Sequence, residues 1–137
     1  MQINFFCKSP YLNLYDKPSY KSKISSQILY GEKFKILLKK KKFFKIKSSY
    51  DNYVGYIKSS NYVNKFKPTH KVSVLKSRIF KYPKNLAKYK SKKFLSFSSK
   101  TQIIKKNKNF IMFDKNKWLN IKDIKLINQK ERNFLKV

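Results

Sequence analysis

The residues able to do chemistry are few and far apart. A nucleophile and a base are each present once, as Cys7 and His70, the only cysteine and the only histidine in the chain. A cysteine attacks as its thiolate and needs a neighbouring base or a helix amide end to form one. Cys7 sits in a strand-like N-terminal segment with no such helix near it, and His70 follows Pro68 in a stretch that reads as a linker. The expectation is a small, partly buried thiol and an imidazole packed on a domain face. The acids Asp16, Glu32, Asp51, Asp114, Asp123 and Glu131 stand singly, so no paired-carboxylate site is indicated. One cysteine and one histidine cannot hold a structural zinc, and two isolated glycines, Gly31 and Gly55, cannot form a phosphate-binding loop. We therefore expect no metal, no cofactor and no catalytic residue in this chain.

Charge is the other chemical feature. A formal net charge of +29 on 137 residues points toward a polyanion such as nucleic acid or an anionic surface. The kind of base argues the other way, because Arg78 and Arg132 are the only arginines and phosphate or base recognition commonly uses arginine's planar fork. Lys, Asn, Ile, Phe and Tyr are the residues of AT-rich codons, so codon composition accounts for much of the charge. Nucleic acid is a possible partner on this reading, though not the favoured one.

The elements that must position these groups are strands. With 41% hydrophobic and 17% aromatic residues, rich in Ile, Phe, Tyr and Val, the chain can bury a core built from sheet. The run Ser25 to Leu37 reads as strand, tight turn, strand: Ile28-Leu29, then Tyr30-Gly31-Glu32, then alternating Phe34-Lys35-Ile36. Gly31 marks a backbone conformation costly for other residues. Further segments lie at Tyr11–Tyr15, Ser26–Tyr30, Phe34–Leu38, Phe43–Lys47 and Tyr53–Ile57, which together suggest a small barrel. Asp16-Lys17-Pro18-Ser19 opens a long excursion between the first two, and Lys39 to Lys42 reads as a solvated hairpin tip. Ile3, Phe5 and Phe6 are expected to pack on this barrel.

Asn64 to His70 loses the alternation, and the pattern restarts after it. Val72, Val74 and Leu75, Ile79-Phe80, Phe94–Phe97, Thr101–Ile104, Phe110–Phe113 and Lys117–Ile121 suggest a second barrel. Lacking glycine, it would turn on Asn85, Asn107, Asn109 and Asn116. Asn128 and Glu131 have the spacing of a helix start, with Phe134, Leu135 and Val137 in its opening turns. The fold class is thus all-β, two tandem small barrels followed by a short C-terminal helix start. The boundaries fall at 1–66, 67–127 and 128–137. A single cysteine, no secretion signal in Met1 to Cys7 and no apolar run of spanning length lead us to expect a cytoplasmic protein with no membrane partner.

The motifs LNLYDKPS (Leu12 to Ser19), SSQILYGEKFKIL, YVGYI (Tyr53 to Ile57) and PTHKVSVLKSRIFKYP (Pro68 to Pro83) come in an order that resembles a known family. It is that of the bacterial SH3-like domains preceding the catalytic domain of NlpC-type cysteine peptidases, in particular dipeptidyl-peptidases that cut cell-wall peptides. The resemblance implies two SH3-like barrels that scaffold and gate access for a γ-D-glutamyl-diamino acid peptidase. The family's nucleophile lies in an Asp-Cys-Ser motif absent here, so Cys7 is not that cysteine. The implied partners are a cysteine-peptidase domain, C-terminal or separately encoded, and a murein-derived peptide. In the family the first barrel helps select a free L-alanine amine with acidic and tyrosine side chains; the matching positions are Glu32, with Tyr53 or Tyr56 as the aromatic partner. The alternative is a stand-alone basic barrel binding nucleic acid or another polyanion, with aromatics between lysines as in Phe43-Phe44-Lys45-Ile46-Lys47.

So many lysines on a small surface repel one another, and salt screens repulsion between exposed charges. The melting temperature should therefore rise from low ionic strength to about 0.15 M salt, where the screening length is about 8 Å. A thermal scan that is flat with salt would show that the charges are compensated.

Overall fold

Alternation decides the first strands. In Tyr11-Leu12-Asn13-Leu14-Tyr15 the two leucines are buried and the odd positions face outward, as a period of two requires. The structure, a computed structural model, describes residues 3–59 and 62–128. It divides into two compact units, Met1–Lys67 and Pro68–Val137. The protein is mostly β.

The first unit holds β1 (Asn4–Cys7), β2 (Tyr11–Tyr15), β3 (Ile24–Leu29), β4 (Lys33–Lys39), β5 (Phe43–Ser48), β6 (Val54–Lys58) and β7 (Tyr62–Val63). They form one antiparallel sheet, in the order β3-β2-β6-β5-β4-β1-β7, curled into an SH3-like half-barrel. Cys7, Leu12, Leu14, Ile28, Phe34, Phe44, Ile46 and Ile57 fill the inside, with Phe5, Ile36, Tyr53 and Tyr62 packed against them. The excursion between β2 and β3 is closed by the Asp16 N–H donating to the Lys23 carbonyl at 3.0 Å. Lys40 and Lys41 cap the β4–β5 hairpin, exposed as expected, with the Lys40 N–H on the Phe43 carbonyl at 3.0 Å.

The second unit holds β8 (His70–Val72), β9 (Lys76–Phe80), β10 (Lys90–Ser96), β11 (Lys100–Thr101), β12 (Lys105–Asn107), β13 (Phe110–Asp114), β14 (Lys117–Asn120) and β15 (Ile124–Leu126). Five strands pair as β10-β9-β14-β13-β12 and three as β11-β8-β15. Phe80, Phe110 and Trp118 cluster in its interior. Buried Ser77 donates to Asp123 Oδ2 at 2.7 Å, and Ser73 Oγ donates to the Asp123 carbonyl at 3.2 Å, so this acid braces the unit.

Several expectations are corrected. His70 is the first residue of β8, paired with Thr101 and Leu126, and Phe66 in the supposed linker is buried against Phe6 and Tyr30. Thr101–Ile104 is not one strand: β11 ends at Thr101, and Ile103 and Ile104 are exposed on the way to β12. Leu75 is 84% exposed and Ile3 also faces out, so neither joins a core. Asn116 takes a positive φ as expected, but Asn85, Asn107 and Asn109 do not. Between Asn107 and Phe110, which pair, the first residue of the two-residue turn must enter that region, and it is Lys108 (φ 53°). Ser98 and Asn52 do the same elsewhere. Asn128 lies in a turn, and the rest of the expected helix start, Glu131 with Phe134, Leu135 and Val137, falls outside the described residues.

Gly31 and Gly55 are needed for different reasons. Gly31 has φ 79°, whereas a Cβ on Gly55 would lie 2.7 Å from Leu14 Cγ and 3.0 Å from the Tyr15 carbonyl oxygen. Gly31→Ala should cost about 1–2 kcal/mol through backbone strain, and Gly55→Ala about 1–3 kcal/mol through overpacking between β2 and β6. Urea midpoints measure both; an unchanged midpoint for Gly55→Ala would rule out the close approach.

Candidate functional site

The Tyr30-Gly31-Glu32 turn joins β3 to β4 and is stitched to the end of β1. The Gly31 N–H donates to the Cys7 carbonyl at 2.7 Å, and the Cys7 N–H donates to the Glu32 carbonyl at 3.0 Å. Within the turn the Glu32 N–H donates to the Leu29 carbonyl at 3.0 Å, and Glu32 Oε1 accepts from the Leu29 N–H at 2.7 Å. One carboxylate oxygen thus holds the turn.

Tyr53 precedes β6. Its N–H donates to Asp51 Oδ1 at 3.2 Å, its carbonyl accepts from the Ser48 N–H at 2.8 Å, and its ring packs on the inner cluster. Because Ser48 also pairs with Phe34, Glu32 and Tyr53 lie at the same end of the sheet, with β5 between them. Tyr56 is placed differently. It faces outward from β6, directly between Tyr15 on β2 and Lys45 on β5. Two of the three expected residues therefore share one end of the sheet, while the third belongs to its outer face. No hydrogen bond or ring contact joins any two of them.

A group that sequence reasoning missed stands beside the turn. Lys8 Nζ donates to the Tyr30 hydroxyl at 2.7 Å and lies 5.0 Å and 4.9 Å from the ring centroids of Tyr30 and Phe66. Such cation–ring contacts favour a fixed ammonium. Its only sequence signal was a lysine next to the N-terminal strand; the two rings come from distant positions.

Cys7 and His70 are occupied locally. The Cys7 thiol is buried and donates to the Ser9 carbonyl at 3.3 Å. Burial pushes its pKa up to about 12, and the charge of Glu32 adds to the rise. His70 Nδ1 lies 2.8 Å from Thr69 Oγ1, and burial lowers its pKa. Among the described residues no group of three His, Cys, Asp or Glu could hold a metal ion, and no helix is long and apolar enough to cross a membrane.

Residues 14–61 match the family model of the bacterial dipeptidyl-peptidase SH3 domain. The solved structure of an NlpC/P60 family protein from Bacillus cereus ATCC 10987 superposes with a TM-score of 0.69 at 13% identity. The match covers 90% of this chain and 56% of that one, so the chain spans little more than half of that protein's length. At this identity the likeness is one of fold. Comparison with curated proteins gives no match. The resemblance read from the motifs is thus found again over residues 14–61 of the first unit.

The thiol yields a test. Below the unfolded-state pKa near 9.0, both folded and unfolded chains keep the proton, and stability is unaffected. As pH rises from there toward about 12 the unfolded chain alone ionises, so stability should fall by about 1.4 kcal/mol per pH unit. Comparison of alkaline urea unfolding with Cys7→Ala isolates this slope. At pH 8 a thiol reagent should label Cys7 only as fast as the chain unfolds; rapid labelling of the folded chain would contradict the burial.

Proposed function

We propose that this chain is a non-catalytic SH3-like module that scaffolds and gates a cysteine peptidase acting on cell-wall peptides containing a γ-D-glutamyl-diamino acid bond. The observation that carries the reading is the match of residues 14–61 to the bacterial dipeptidyl-peptidase SH3 domain. The fold shared with an NlpC/P60 family protein supports it. The domains of the reading are 1–66 and 67–127 as two SH3-like barrels, with 128–137 leading to the peptidase domain. A cytoplasmic setting belongs to the same reading.

Glu32 is the acid of the proposed peptide site. Its Oε1 fixes the turn, and Oε2 would accept from the free amine of an L-alanyl peptide, a charge-assisted bond. Tyr53, at the same end of the sheet, would offer its hydroxyl and ring edge, and Tyr56 would contact the peptide where it runs over β6.

Glu32→Gln separates function from folding, because an amide oxygen can still accept the Leu29 N–H while the charge is lost. Titration of the chain with L-Ala-γ-D-Glu-diamino acid peptide and its N-acetyl form should show about tenfold preference for the free amine, worth about 1.4 kcal/mol, abolished in Glu32→Gln. The variant's melting temperature should stay close to that of the parent chain. Equal binding of both peptides by the parent chain would overturn the assignment.

A further inference from the structure

Outward side chains of the first unit form a register of which the proposed peptide site uses only Tyr56. Phe43 on β5 faces Lys58 on β6; two residues along, Lys45 faces Tyr56, which faces Tyr15 on β2; two further along, Lys47 faces Val54 and Lys35. Successive rows are about 6.7 Å apart, two residues of strand. Tyr20, from the excursion after β2, folds over the first row with its ring 4.9 Å from Phe43, and Lys58 Nζ stands 5.9 Å from the Tyr20 ring.

This face has an uncompensated cost. Lys35 and Lys47 lie directly opposite, an arrangement that destabilises a sheet. The strands β2, β4, β5 and β6 carry no Asp or Glu, and among the described residues no carboxylate pairs with Lys35, Lys45, Lys47 or Lys58. Tyr20 is 55% exposed, an aromatic ring held at the surface by its neighbours.

From the charge and the rings together we infer that the outer face of β2, β6, β5 and β4 binds single-stranded nucleic acid, with Lys35, Lys45 and Lys47 on successive phosphates and Tyr20 stacking on a base. Lysines interleaved with rings on one open face match a strand that presents both phosphates and stackable bases. Lysine serves here as a point charge on phosphate, without base-edge readout, so binding is independent of sequence. The rings distinguish this occupant from an anionic membrane, which offers no flat base to stack on. The face is an open sheet with no helix to enter a major groove, which disfavours duplex.

The test uses the full chain and a labelled oligo-dT strand, titrated at several salt concentrations. Changing Lys35, Lys45 and Lys47 together to Gln should weaken binding at least tenfold and lower the salt slope by about 2, at about 0.7 per phosphate for single strands. The same triple change at Lys105, Lys106 and Lys108 of the second unit, which are exposed, should have much less effect. Tyr20→Ala should weaken oligo-dT about tenfold and leave an abasic strand of equal length unaffected. The first triple variant relieves the Lys35–Lys47 repulsion, so it should melt no lower than the parent chain. Equal losses from both triple variants, equal affinity for abasic strand and oligo-dT, or comparable binding to anionic vesicles would each overturn the inference.

Discussion

The hydrogen bond from Gly31 to the Cys7 carbonyl, at 2.7 Å, is the constraint on which the first unit depends. It forms because a positive φ at Gly31 turns that N–H toward β1, a conformation open to glycine at little steric cost. With the return bond from Cys7 to the Glu32 carbonyl it anchors the N-terminal strand, which then pairs with both β4 and β7. Two chemical facts share this cause. Cys7 is drawn into the core, where its thiol stays protonated, and Glu32 is fixed at a sheet end with one oxygen committed to the backbone.

The high charge coexists with a conventional interior because alternation separates the two. On β5, Phe44 and Ile46 point inward while Lys45 and Lys47 point outward, so the lysines never have to be desolvated. The cost appears instead as repulsion across the outer face, most directly between Lys35 and Lys47. The proposed peptide selection lies at the end of the sheet near Glu32 and Tyr53, and the proposed strand binding on its outer face. Tyr56 belongs to the outer face by register, which makes it the point where the two surfaces meet.

The second unit reaches a β fold without glycine by using other residues in the left-handed region. Ser98, Lys108 and Asn116 take positive φ there, each at a turn or strand end where pairing on either side outweighs the local strain. Its strands are short, and Asp123 ties two of its serines, one by side chain and one by backbone. An acid that appeared isolated in the sequence is thus a structural brace.

Periodicity and turn chemistry made most of the first unit legible from sequence: Tyr11–Tyr15 is a strand with those bounds, Phe43–Lys47 is short by one residue, and Gly31 needed its positive φ. These are local properties, carried by neighbours two or three residues apart. Thr101–Ile104 misled because an apolar run is equally compatible with a strand and with exposed residues between two strands. His70 and Phe66 misled because a proline and lost alternation hid pairing with Thr101 and Leu126 and packing on Phe6. The sequence by itself determined the β class and the inward and outward sides of most strands. Only the tertiary structure decided that Tyr56 faces Tyr15 and Lys45, that Lys8 sits between Tyr30 and Phe66, and that Glu32 has one oxygen engaged. Each depends on strand register and chain closure, which bring together residues far apart in sequence and therefore leave no local pattern to read.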